Sequence, residues 1–105
     1  MYRILIVEDD RGIAGAIQGA AAAWGFDARS TENFRDVAGE FAAFQPHLVL
    51  MDIGLPFFDG YHWCREIRRT SNVPVIFISS ASDNMNIVMA MNMGGDDFIA
   101  KPFDL

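Results

Sequence analysis

Short, unbroken apolar runs alternate along this chain with stretches in which apolar residues recur every three or four positions. Ile4-Leu5-Ile6-Val7 ends abruptly at Glu8-Asp9-Asp10, Leu48-Val49-Leu50-Met51 ends at Asp52, and Val75-Ile76-Phe77-Ile78 ends at Ser79-Ser80. Runs this short, bounded by polar residues, predict strands buried on both faces of a parallel sheet. Phe26-Asp27-Ala28-Arg29 and Phe98-Ile99-Ala100 are weaker runs that suit the outer strands.

Helices fit between the strands. From about Arg11 to Trp24, Ile13, Ile17, Ala20, Ala21 and Trp24 fall on one face at helical spacing. Gly12, Gly15 and Gly19 each cost about 1 kcal/mol relative to alanine, so packing must hold this helix together. Phe34, Val37, Phe41 and Phe44 line a second helix that stops before Pro46. A third spans Asp59 to about Arg69, and a fourth runs from Asp83, a suitable N-cap, to Gly94-Gly95. The order βαβαβαβαβ defines an α/β fold, a doubly wound parallel sheet with helices on both faces. Asp104, after Pro102-Phe103, is placed to cap a fifth helix that the sequence does not contain, so a shortened form of a longer protein is expected.

Composition narrows the function. At 105 residues, with 51% hydrophobic and 21% charged, the chain has the size of one domain. No apolar run approaches the roughly 18 residues of a membrane span, and the N-terminus lacks a signal peptide's apolar stretch, so a cytoplasmic protein without a membrane partner is expected. Cys64 is the single cysteine and has no internal disulfide partner. The net charge of −6 and the lack of a basic run argue against nucleic-acid binding by this segment itself. Seven of the eight basic residues are arginine, which singles out Lys101 as a place where a compact ammonium is needed.

In open parallel sheets, ligands gather at the carboxyl ends of the strands. Here those ends deliver Glu8, Asp9 and Asp10 from the first strand, Asp52 from the third, Ser79 from the fourth and Lys101 from the fifth. Two carboxylates about 5 Å apart repel by roughly 3 kcal/mol at an effective dielectric near 20, so such a cluster shifts its pKa values upward or holds a cation. With only oxygen ligands on offer, Mg²⁺ or Mn²⁺ is favoured over zinc. A hydroxyl, an ammonium and a divalent ion around one carboxylate suit phosphoryl transfer to or from Asp52.

The ordered strings Ile4-Leu5-Ile6-Val7-Glu8-Asp9-Asp10, Leu48 to Pro56 with Asp59-Gly60, Pro74 to Ser80, and Gly94-Gly95-Asp96-Asp97-Phe98-Ile99-Ala100-Lys101-Pro102-Phe103 resemble the receiver domain of bacterial two-component response regulators over the full chain. The resemblance implies a flavodoxin-like five-stranded sheet of order 2-1-3-4-5, an arrangement for which a receiver is itself a standard example. It implies that residues 1–105 are a C-terminally shortened receiver whose DNA-binding domain lies outside this sequence. Asp52 would be the phosphoacceptor, loaded by a sensor histidine kinase. Asp9 would bind Mg²⁺ directly and Glu8 largely through water, with Asp52 and the Gly54 carbonyl completing the shell. Asp10 is expected to cap the first helix. Lys101 would bind the phosphoryl oxygens, Ser79 would be the switch hydroxyl, and Phe98 the aromatic that rotates inward behind it. Serine replaces the commoner threonine at position 79, Ser80 stands where a small alanine is more usual, and Phe98 lacks the hydroxyl of the frequent tyrosine. The stretches Asp59 to Arg65, Ser71 to Pro74 and Gly95 to Ile99 resemble winged-helix regulators that answer bacitracin-type cell-envelope stress beside peptide-exporting transporters. DNA would then be reached only through the missing domain. The chain would be a switch that phosphorylates and dephosphorylates itself, without a separate turnover substrate.

Other features carry less function. His62 and His47 are expected to be structural or surface residues, and Trp63 and Cys64 to pack. Met85, Met89, Met91 and Met93 cannot all be buried on one helix face, which suits self-association through the fourth-helix and fifth-strand surface. An Mg²⁺-dependent aspartyl-phosphate phosphohydrolase is the alternative, but it needs an acid two residues after the nucleophile, where Gly54 stands. A flavin module would need a phosphate cradle where Glu8-Asp9-Asp10 would repel the anion.

Overall fold

Five strands form one parallel sheet: β1 (Arg3–Val7), β2 (Asp27–Ser30), β3 (Leu48–Asp52), β4 (Val75–Ser79) and β5 (Asp97–Ala100), in the order β2-β1-β3-β4-β5. This is the flavodoxin-like order expected from the sequence. The structure, a computed structural model, describes residues 1–79 and 94–100, and only the backbone of Ser79 and residues 97–100. The fourth helix expected from Asp83, its methionines, Ser80, and Lys101 to Leu105 lie outside the described residues.

Strand alternation divides the core in two. Leu5, Val7, Val49, Met51, Val75 and Phe77 face α2 (Val37–Phe44) and α3 (Gly60–Arg68), packing on Val37, Tyr61, Trp63, Cys64 and Ile67. Ile4, Ile6 and Ile78 face the other way onto Ala14 and Ile17 of α1 (Arg11–Ala23) and onto Ala28. Ile6 and Phe77 are fully buried, each contributing roughly 1.5–3 kcal/mol through removal of apolar surface from water. The inner strands turn apolar residues to both faces and so read as continuous apolar runs; β1 is buried on both, while Leu48, Leu50 and Ile76 of β3 and β4 are half-buried.

The helix ends follow local chemistry. Asp10 caps α1, its carboxylate accepting from the N–H groups of Gly12 at 2.9 Å and Ile13 at 3.1 Å. Asp36 caps α2 through Gly39 and Asp59 caps α3 through His62, each at 2.9 Å. Gln45 closes α2 in the left-handed conformation with φ 50°, one residue before Pro46.

Three expectations need correcting. Trp24 does not share the packing face of α1: the helix ends at Ala23, Gly25 turns the chain at φ 86°, and Trp24 is 81% exposed. Phe34 lies ahead of α2 rather than within it, although it still packs against the core. Phe26 precedes β2, because the register pairs Arg3 with Asp27.

Candidate functional site: an acidic cluster at the sheet's carboxyl edge

The register builds the site. Ile6 pairs with Leu50 and Val7 with Met51, so one step further the chain places Glu8 beside Asp52. Both continue the side of the sheet that carries Ile4, Ile6 and Leu50. Glu8 is 2% and Asp52 6% exposed, whereas Asp9 is exposed. Carboxylate oxygens of Glu8, Asp9 and Asp52 all lie within 4.8 Å of one another. Asp10 is absent from this group because its carboxylate caps α1. At such spacing each ionised pair repels by roughly 1 kcal/mol at the dielectric of water and roughly 3 kcal/mol at an effective value near 20.

The donor set fits a hard divalent cation. All three ligands are oxygens, and their 4.8 Å limit compares with about 4.2 Å across an octahedral Mg²⁺ shell, within reach of small side-chain adjustments. Glu8, Asp9 and Asp52 are therefore the residues that could hold such an ion.

The remaining expected site residues are placed less fully. Gly54 is exposed in the loop two residues beyond Asp52. Ser79 ends β4, one residue past Ile78, the partner of Asp52. Phe98 pairs with Phe77, and Ala100, the partner of Ser79, immediately precedes Lys101. The backbone thus brings the ends of β3, β4 and β5 together in adjacent positions. The side chains of Ser79 and Phe98, and all of Lys101, lie outside the described residues.

The loop after β3 is tightly tethered. The Gly60 N–H donates to the Ile53 carbonyl at 2.9 Å, and Leu55 N–H to the same oxygen at 3.0 Å. A Cβ at Gly60 would fall well inside contact distance of the Asp52 carbonyl oxygen and 3.0 Å from Met51 Cγ. Only glycine lets α3 begin this close to the site.

Two features were not read from the sequence. Arg68 bridges α3 to the approach to β5, with Nη2 2.9 Å from Asp96 Oδ2 and 2.8 Å from the Gly94 carbonyl. Phe57, at φ 69°, and Phe58 form an exposed aromatic pair in the loop. The adjacent phenylalanines outside any periodic segment were the available signal for the pair; Arg68 offered none.

The expected structural residues take those roles. His47 Nδ1 accepts from Arg3 N–H at 3.0 Å, and the His62 ring stacks on Phe58. Trp63 and Cys64 are buried. Burial pushes the Cys64 thiol up, with Arg68 and Arg65 opposing and Asp96 adding to the shift. The folded protein is accordingly expected to react with a disulfide reagent at least about a hundredfold more slowly than the urea-unfolded chain, followed by thionitrobenzoate absorbance.

A doubly wound sheet of this order, with an acidic cluster at the carboxyl end of β1 and β3, defines a receiver. The response regulator receiver domain pattern matches residues 4–105, and the chain belongs to that family. It is 53% identical over 105 residues to the uncharacterized transcriptional regulatory protein YvcP of Bacillus subtilis, covering 100% of this chain and 44% of that protein. It is 45% identical over 103 residues to the sensory transduction protein BceR of Bacillus subtilis, covering 98% of this chain and 45% of that protein. Among solved structures, the N-terminal domain of the nisin resistance regulator NsrR, a lantibiotic response regulator, superimposes with a TM-score of 0.90 at 51% identity, covering 99% of this chain and 88% of that one. The chain spans less than half the length of these curated relatives. No helix of the described residues is long and apolar enough to cross a membrane.

Proposed function

We propose that this chain is the phosphoacceptor module of a cytoplasmic response regulator, with Asp52 taking a phosphoryl group from a histidine of a sensor kinase. The observation that carries the reading is the buried Asp52 carboxylate at the end of the central strand, with Glu8 and Asp9 oxygens within 4.8 Å. An Asp52 oxygen attacks phosphorus, an O–P bond forms, the P–N bond to the donor imidazole breaks, and the imidazole leaves with the electron pair. Glu8, Asp9, Asp52 and the Gly54 carbonyl would hold Mg²⁺. When bound, that ion would offset the charge of the carboxylates and of the incoming phosphoryl oxygens. Lys101 contributes an ammonium to the same oxygens and Ser79 a hydroxyl. Attack of water on the acyl phosphate breaks the new O–P bond and restores the carboxylate, so no separate substrate is turned over.

The acyl phosphate carries roughly −1.5 to −2 charges in place of the carboxylate's −1, so phosphorylation adds up to about one negative charge and three acceptor oxygens beside Ser79, and biases an element running from Ser79 to Phe98. Self-association through the fourth-helix and fifth-strand face would carry the signal to a C-terminal DNA-binding domain. The likeness to NsrR, a lantibiotic response regulator of nisin resistance, supports a response to antimicrobial peptides.

Intact mass after incubation with acetyl phosphate tests this reading. One phosphoryl group is expected with Mg²⁺ and none without it or in Asp52→Asn; label persisting in Asp52→Asn would contradict it.

Asp9→Asn provides a second check. Without metal it is expected to stabilise the fold by about 1 kcal/mol, because one repulsive charge is lost beside Glu8 and Asp52. Millimolar Mg²⁺ is expected to raise the melting temperature of the wild type by mass action and to leave that of Asp9→Asn nearly unchanged. Thermal unfolding in EDTA and in Mg²⁺ measures both effects.

A further inference from the structure

Phe57 is a bulky residue in the left-handed region, at φ 69°, and it is 62% exposed. A side chain at such a φ is disfavoured, and an exposed ring recovers little of that cost through burial in its own chain. The Arg35 guanidinium, from the loop before α2, lies over the ring, 4.3 Å from its centroid. Phe58, 45% exposed, stacks on His62 at 4.3 Å and 18° and meets Trp63 edge-on at 5.5 Å. Trp63 is 5% exposed and anchors this ladder in the core. Phe58 on this ladder and its neighbour Phe57, with a cation over its ring, together form an exposed aromatic shelf.

The shelf lies on the loops that follow β2 and β3, at the same carboxyl edge of the sheet as the acidic cluster. Its loop is pinned by the Phe58 N–H to the Pro56 carbonyl and the Gly60 N–H to the Ile53 carbonyl, each at 2.9 Å. Gly60, two residues beyond Phe58, backs onto the Asp52 carbonyl.

We infer that Phe57, Phe58 and Arg35 form the contact by which a protein phosphodonor is recognised, taking from it an apolar side chain flanked by a carboxylate. This rests on the reading of Asp52 as phosphoacceptor. Aromatic and arginine side chains are the types that dominate protein interfaces, and the loops that carry these three residues leave β2 and β3 at the carboxyl edge of the sheet, the edge of Glu8 and Asp52 that the donor must reach. A second copy docked here would bring two acidic clusters together. A nucleic acid or an anionic membrane would set its phosphates against Glu8, Asp9 and Asp52. A small phosphodonor reaches Asp52 without needing the shelf, so the two kinds of donor separate recognition from chemistry.

The test compares acetyl phosphate with a panel of purified, autophosphorylated sensor histidine kinases from Bacillus subtilis, the source of two relatives. The variants are Phe57→Gly with Phe58→Ala, in which glycine suits the backbone at position 57, and Arg35→Glu. Circular dichroism confirms their fold. With the kinase that labels wild type fastest, the double variant is expected to lose about tenfold or more in kcat/KM, mainly through KM, while labelling by acetyl phosphate stays within about twofold. Arg35→Glu is expected to show a kinase-specific loss that shrinks as salt rises. Equal losses with both donors, no loss with either, or a panel that never labels wild type while acetyl phosphate does, would each overturn the proposal. Failure of acetyl phosphate to label wild type would instead overturn the phosphoacceptor reading, and the shelf's role with it.

Discussion

Gly60→Ala is expected to cost about 3 kcal/mol of folding stability and to suppress phosphoryl uptake at Asp52. A methyl group at this first position of α3 meets backbone, the carbonyl of Asp52, together with the side chain of Met51. Neither can yield cheaply. Asp52 pairs with Ile78 within the sheet, and Met51 is fully buried. Relief must come from moving the start of α3, which strains the Gly60 N–H bond to Ile53 and the Asp59 cap on His62. Intrinsic propensity acts the other way, since alanine is favoured over glycine within a helix by about 1 kcal/mol. The sign of the effect therefore identifies its cause. Urea unfolding followed by circular dichroism gives the stability, and an unchanged midpoint would show that the close approach is not a constraint.

Arg68→Met is expected to cost about 2–4 kcal/mol. Methionine keeps an apolar stem in place of the arginine's but removes the guanidinium, which donates to the carbonyls of Gly94 and Val73 and to Asp96 Oδ2. The ion pair itself contributes little, because the Asp96 side chain is 55% exposed. Most of the loss comes from part-buried carbonyls left without a donor. Asp96 also ties β5 to β4: its N–H donates to the Val75 carbonyl, and its Oδ2 accepts from the Val75 N–H, each at 2.8 Å. Loosening Arg68 is thus expected to speed hydrogen exchange in Asp97–Ala100 before it affects β1. Asp96→Asn should cost less, since its amide oxygen still accepts from Val75. Equal exchange protection in Arg68→Met and wild type would contradict this account.

The inner sheet was legible in the sequence because β1, β3 and β4 each lie between two strands and turn apolar residues to both faces, which makes them continuous apolar runs. The acidic cluster was legible for a related reason: Glu8 and Asp52 interrupt apolar runs at their carboxyl ends, and parallel pairing aligns those ends. Trp24 misled because helical spacing assigns a face but not the point at which a helix stops, and Gly25 ends α1 first. Phe26 read as strand because outer strands carry weak patterns and register is set by pairing with β1. Arg68 looked like one of three basic residues near a helix end, where the macrodipole favours positive charge. Its bonds to residues 94 and 96 are long-range and leave no local signature. The strain at Phe57 was equally silent, since φ follows from how the loop closes over Gly60.

The central claim is that Asp52 is the residue that carries the phosphoryl group. After incubation with acetyl phosphate and Mg²⁺, borohydride reduction converts an aspartyl phosphate to homoserine, which peptide mass spectrometry can place. The account predicts homoserine at position 52 alone. Reduction at Glu8 or Asp9, or a phosphoryl group that survives borohydride on another type of side chain, would contradict it.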